Sequence, residues 1–169
     1  DLAGQRTLVQ GHLSAAYREI DLALDVLPTQ EQVASDLKSE NVYIARRARG
    51  LMRQFEERGS LAQTYPYPIQ VWSFGDAASL TFLGGEVVVD YSLRIQQELS
   101  RDRSWVAGYS NDVMAYIPSR RVLQEGGYEG ESAMIYYGLP TKWSTDVEEH
   151  IIRETRALHE SLAKKGGGR

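Results

Sequence analysis

Apolar and polar positions alternate over residues 17–24. Ile20, Leu22 and Leu24 fall on one side, with Arg18, Glu19 and Asp21 among the residues between them. A period of two predicts a half-buried strand. The period then lengthens. After Pro28, Thr29 and Gln32 stand in capping-box spacing and predict a short acidic helix to about Leu37. Ser39-Glu40-Asn41 starts a longer helix in which Ile44, Ala48, Leu51, Met52 and Phe55 keep the three-four spacing of one buried face. Gly59 marks its end. Arg46, Arg47, Arg49 and Arg53 fall largely elsewhere and, beside Glu56 and Glu57, read as a solvated face.

Tyr65-Pro66-Tyr67-Pro68 is extended, because each proline pushes its predecessor out of the helical region. A strand follows over 69–74, then a Gly75-Asp76 turn and a returning strand over 80–83. Gly84-Gly85 permits a tight turn. The spacing from Glu86 to Leu99 is helical, which places Glu86 at a helix start, where free backbone N–H groups favour a carboxylate. A strand over 105–109 leads into the polar turn Ser110-Asn111-Asp112. Another strand is predicted over 132–137, closed by Gly138-Leu139-Pro140. The last helix is expected from Ser144 as N-cap, with Val147, Ile151, Leu158 and Leu162 on one face. Residues 1–11 read as the tail of a helix. Residues 164–169 read as a disordered tail. The sum is an α/β fold, a mixed β-sheet flanked by helices, in a partial domain. Sites in such folds gather at strand-to-helix turns, which points to residues 82–137.

Composition narrows the functions. The 169 residues fit one domain with a real core. A net charge of −4, from 19 basic and 23 acidic residues, argues against a nucleic-acid surface. With no cysteine there is no disulfide and no thiolate metal site. His12, His150 and His159 are scattered and form no metal-ligand pair; His150 and His159 fall on the predicted surface of the last helix. No stretch approaches the length of a membrane helix. The chain begins at Asp1 rather than Met, which reads as a fragment or a processed product.

The segments FLGGEVVVDYSLR, VAGYSNDVMAYIPSRRVLQEGGYEG and AMIYYG resemble the C-terminal half of the amidase domain of the neutral ceramidase family. The likeness is specific over about residues 65–140 and weaker outside it. In that family a Gly-Glu pair supplies a glutamate zinc ligand. A Gly-x-Ser-Asn turn leads to a tyrosine that is also a zinc ligand, and a second tyrosine, followed by Glu, assists at the scissile amide. The matching positions are Gly85-Glu86, Gly108-Tyr109-Ser110-Asn111, Tyr116 and Tyr128-Glu129. The resemblance therefore implies zinc as cofactor, Glu86 and Tyr116 as metal ligands and Tyr128 as a catalytic residue. It implies hydrolysis of the N-acyl amide bond of ceramide or a related N-acyl lipid. Residues 1–163 become the C-terminal portion of such a domain. Two histidine ligands are expected upstream, on a missing N-terminal half of the domain. A secreted or periplasmic location and peripheral membrane contact follow from the same resemblance.

One departure is visible: Pro118-Ser119 stands where the family has a threonine pair. It leaves another amide open as the substrate. The alternative from a different class is a non-catalytic remnant whose sheet serves binding or assembly. Two geometric expectations follow. If the strands before Glu86 and before Tyr116 run the same way, their turns open at one sheet edge and the two side chains converge. If half a domain lies elsewhere, an apolar patch larger than a few hundred Å² should be exposed around residues 67–83 or on the adjoining helices.

Overall fold

The computed structural model describes residues 11–99 and 103–166. The first strand, β1 (Leu13–Ala23), starts earlier than the alternation predicts. Helix α1 (Gln30–Asp36) opens with the expected capping box: Thr29 accepts from the Gln32 N–H while the Gln32 side chain accepts from the Thr29 N–H. Helix α2 (Val42–Arg58) is capped by Asn41 and ends at Gly59 in the left-handed region. Its apolar face, with Ala48 and Leu51, packs against Val33 and Leu61 to form a small separate core.

Strands β2 (Thr64–Phe74) and β3 (Ser79–Leu83) form the predicted hairpin. After β3 come β4 (Glu86–Val87), α3 (Val89–Leu99), β5 (Ser104–Ala107) and β6 (Tyr116–Ile117). Then follow α4 (Arg120–Glu125), a π-helical turn (Tyr128–Ser132), α5 (Met134–Tyr137) and α6 (Val147–Gly166). The main sheet has the order β1-β2-β3-β5, antiparallel except for the parallel β3–β5 pair. A second, two-stranded sheet pairs β4 with β6 in parallel. The expected mixed sheet flanked by helices is therefore present.

One face of the main sheet carries Ile20, Leu22, Tyr67, Ile69, Val71 and Leu83. They pack with Tyr91 and Ile95 of α3 and Ile151, Leu158 and Leu162 of α6. Thr81 is buried on that face and meets the His159 ring, Oγ1 to Nε2, at 3.0 Å. His159 is therefore partly buried against the sheet and not a surface residue. Burial pushes its pKa down to about 4.

Four local expectations are corrected. Residues 132–137 are not a strand: they span the end of the π-helical turn, Ala133 and α5. Gly130 explains the compaction, since a Cβ there would lie 2.6 Å from the Val122 carbonyl of α4. Glu86 does not start a helix; it pairs in β4, and α3 begins at Val89. The strand expected over 105–109 ends at Ala107, because Tyr109 turns into the left-handed region at φ 53°. Helix α6 begins at Val147, beyond Ser144, and runs to Gly166, into the expected tail. The expected helix tail over residues 1–10 and the last residues, 167–169, lie outside the described residues.

Candidate functional site

The turn between β3 and β4 is built by close approach. Gly85 has φ 69°, and a Cβ there would lie 2.7 Å from both the Ala115 carbonyl oxygen and Ile117 Cγ1. A residue with a side chain would be strained on both counts. The Gly85 N–H donates to Asp112 O at 2.8 Å, and the Tyr109 N–H donates to Gly85 O at 2.8 Å. The Glu86 N–H donates to Ala115 O at 2.9 Å and the Val88 N–H to Ile117 O at 3.2 Å. These bonds lace the 108–117 segment to the 84–88 segment and bring Glu86 and Tyr116 into register as strand partners. The parallel β3–β5 pair is what delivers both turns to the same sheet edge. Neighbouring strands lie about 4.8 Å apart, so partners in register stand side by side.

Three fully buried aromatic side chains hold this main chain from behind. Tyr67 OH donates to Gly84 O at 2.9 Å. Tyr91 OH donates to Pro118 O at 3.1 Å, and Trp143 Nε1–H to Tyr116 O at 2.8 Å. Burial pushes the hydroxyls of Tyr67 and Tyr91 well above the ordinary tyrosine range, so both remain donors. Ser119, just past β6, donates to Asp90 Oδ2 at 2.5 Å and accepts from the Val122 N–H at the start of α4. Tyr65 OH donates to Asp112 Oδ2 at 2.9 Å; burial and that bond push its pKa up to about 12.

Tyrosines surround Glu86. Hydrogen bonding to its carboxylate pushes the Tyr109 hydroxyl up to about 12. The same carboxylate, with desolvation adding, raises Tyr116 well above the ordinary value. Tyr137 is raised by desolvation first and by the Glu86 charge second. The Tyr116 ring meets Tyr128 edge-on at 5.4 Å and Tyr137 at 6.5 Å between centroids. Tyr128 is exposed and also faces Tyr136 at 6.0 Å. All three residues singled out from the sequence, Glu86, Tyr116 and Tyr128, thus share one cluster. Tyr109 and Tyr137 join it without having been singled out. Tyr109 lay inside the quoted Gly108-Tyr109-Ser110-Asn111 motif, whereas the predicted strand over 132–137 hid Tyr137.

A carboxylate oxygen is a donor zinc accepts, whereas a phenol is an unusual one that must first lose its proton. Among the described residues no group of three or more His, Cys, Asp or Glu side chains could hold a metal ion. The donors present therefore suit part of a coordination shell and not the whole of one. With their pKa values raised, the Tyr109, Tyr116 and Tyr137 phenols stay protonated at neutral pH.

No protein-family model matches the sequence, and no curated protein matches it. A solved structure described as "Ceramidase complexed with C2" is similar in fold, with a TM-score of 0.53 and 13% identity. The similarity covers 92% of this chain and 31% of that one, so the chain spans less than a third of its neighbour's length. The fold of this chain is ceramidase-like.

Proposed function

We propose that this chain is part of a zinc-dependent amidohydrolase resembling neutral ceramidase, acting on the N-acyl amide bond of ceramide or a related N-acyl lipid. The observation that carries the reading is the parallel pairing of Glu86 with Tyr116, with the Tyr128 ring against Tyr116. The ceramidase-like fold supports it.

In this reading Glu86 and Tyr116 would hold zinc together with nitrogen donors from outside the chain. Bound zinc would polarise the amide carbonyl and lower the pKa of its water toward about 7. Glu86 would give a carboxylate oxygen. Tyr116 would give its phenol oxygen, and its proton, held by a pKa raised beside Glu86, would have to leave for that, which a dication favours. Tyr128, exposed beside Tyr116, would donate a hydrogen bond from its hydroxyl to the developing oxyanion.

Hydrolysis of a fluorogenic N-acyl sphingosine tests this. The 169 residues alone should show no turnover with or without added zinc, since oxygen donors alone hold zinc poorly. A longer polypeptide carrying the upstream reading frame should turn over. There, Tyr128→Phe should lower kcat by about 10²-fold or more while KM changes little. Zinc-dependent turnover by the 169 residues alone would show that the site is complete, and full activity of Tyr128→Phe would remove that residue from the chemistry.

A further inference from the structure

A cleft opens between the end of α2, the start of β2 and the segment after α5. Gly59 stops α2 in the left-handed region, and the chain enters β2 at Thr64. Gly138 stops α5 in the same way, at φ 78°, and Leu139 then packs on the main core. The bridge from Leu24 to Trp143 brings the end of β1 to the same place. The space between these segments is about 320 Å³, at the small end of the range for ligand sites. Leu24, Tyr65 and Leu139 give it apolar walls, and Gln54, Arg58 and Thr64 supply polar groups.

Those polar groups converge without engaging one another. Arg46 and Arg47 of the same helix are engaged, by Tyr136 O and Asp36, whereas among the described residues Arg58 has no ion-pair partner and Gln54 and Thr64 no side-chain hydrogen bond. Among the described residues no Asp or Glu lines the cleft, and Arg58 is its one charged side chain. A guanidinium presents a fork of donors that matches a carboxylate, and the Gln amide and Thr hydroxyl add further donors. One cation suits one negative charge, which selects a carboxylate over a phosphate. The apolar walls suit an alkyl body behind it.

The cleft sits at the Ala23–Thr64 end of the β1–β2 pair. Gly11 and Arg103, where the described residues begin and resume, lie by the opposite end, against Phe74 and Ser79. Helix α6 starts beside Ala23 and has reached Thr81 by His159, before its end at Gly166.

We infer that this cleft binds a small monocarboxylate with an alkyl chain. The Arg58 guanidinium takes the carboxylate, Gln54 and Thr64 complete its hydrogen bonds, and the chain lies against Leu24, Tyr65 and Leu139. Glu86, Tyr116 and Tyr128 are not among the lining residues, so the inference does not rest on the amidase reading. Tyr65 links the two places: its hydroxyl donates to Asp112, whose main-chain oxygen accepts from the Gly85 N–H.

Titration of the ¹⁵N-labelled 169-residue chain with hexanoate, followed by two-dimensional NMR at pH 7, tests this. Saturable shifts should be largest at the amides of Leu24, Gln54, Arg58, Thr64, Gly138 and Leu139, with a Kd of about 1 mM or tighter. Hexanol, which has the chain without the charge, should bind at least tenfold more weakly. Arg58 is exposed, so Arg58→Gln leaves the fold intact; it should weaken hexanoate at least tenfold and leave hexanol unchanged. Shifts that do not saturate, or that centre elsewhere, overturn the inference. So does hexanol binding as tightly as hexanoate, or undiminished hexanoate binding by Arg58→Gln. Neither zinc nor turnover enters the measurement. Failure here therefore leaves the amidase reading untouched, and a hexanoate site on a protein that hydrolyses no N-acyl amide leaves this inference standing.

Discussion

Replacing Gly85 by alanine perturbs the turn on which the whole site depends. At φ 69° the added Cβ enters the left-handed region, which costs about 1–2 kcal/mol for a residue with a side chain. It also lands 2.7 Å from the Ala115 carbonyl oxygen and from Ile117 Cγ1. Overpacking of that kind costs about 1–3 kcal/mol. The backbone oxygen cannot move without loosening the Glu86 N–H bond that it accepts. Together the two effects predict a loss of roughly 2–5 kcal/mol, a large share of an ordinary domain's stability. Urea unfolding of the 169-residue chain, followed by far-UV circular dichroism, measures it. Gly50, inside α2 with nothing within 4 Å of its added Cβ, is the reference. There alanine should raise stability by about 0.5–1 kcal/mol through helix propensity. If Gly85→Ala changed stability by less than about 0.5 kcal/mol, the argument from close approach would be wrong.

Three further outcomes are expected. His159, held neutral in the fold with its pKa down to about 4 from 6.5, takes a proton more readily when unfolded. The stability it contributes is full above about pH 6.5 and is lost as pH falls toward 4, by about 2–3 kcal/mol after allowing for its partial exposure. Urea titrations of the parent chain and His159→Gln should therefore differ in slope across that window, and parallel curves would rule it out. Tyr67→Phe and Tyr91→Phe each orphan a buried carbonyl and should cost about 1–3 kcal/mol in the same assay. Tyr17→Phe, at an exposed position of β1, should stay within about 0.5 kcal/mol of the parent. Thr29→Ala removes the cap of α1 and should cost about 1 kcal/mol, read as a lower midpoint with an unchanged urea slope.

The elements legible in the sequence were those decided within their own residues. The cap Thr29, the helix start at Ser39-Glu40-Asn41, the stop at Gly59 and the alternation through Ile20 and Leu22 all act locally. The β2–β3 hairpin is announced by Gly75-Asp76 between two apolar runs. The failures are places where a distant partner wins. Glu86-Val87 has helical neighbours but is claimed by Tyr116-Ile117. Met134-Ile135-Tyr136-Tyr137 has strand-like composition, yet it coils because α4 and Gly130 fix the turn before it. Of the site, the Glu86–Tyr116–Tyr128 set was visible through the resemblance. The positioning of Tyr137 was not, because it follows from a helix that the apolar pattern does not signal. The aromatic donors Tyr91 and Trp143 were equally hidden: a buried tyrosine or tryptophan in the sequence does not say which carbonyl it will meet.

The pairing of Glu86 with Tyr116 as metal donors is tested most directly by zinc content. In the longer polypeptide, purified and dialysed, elemental analysis should find one zinc per chain. The Glu86→Gln and Tyr116→Phe variants, with circular dichroism matching the parent, should each hold zinc at least tenfold more weakly and lose hydrolysis of the N-acyl probe in step. Stoichiometric zinc retained with unchanged affinity in both variants would contradict the assignment, and Glu86 would then be a strand carboxylate solvated by tyrosines.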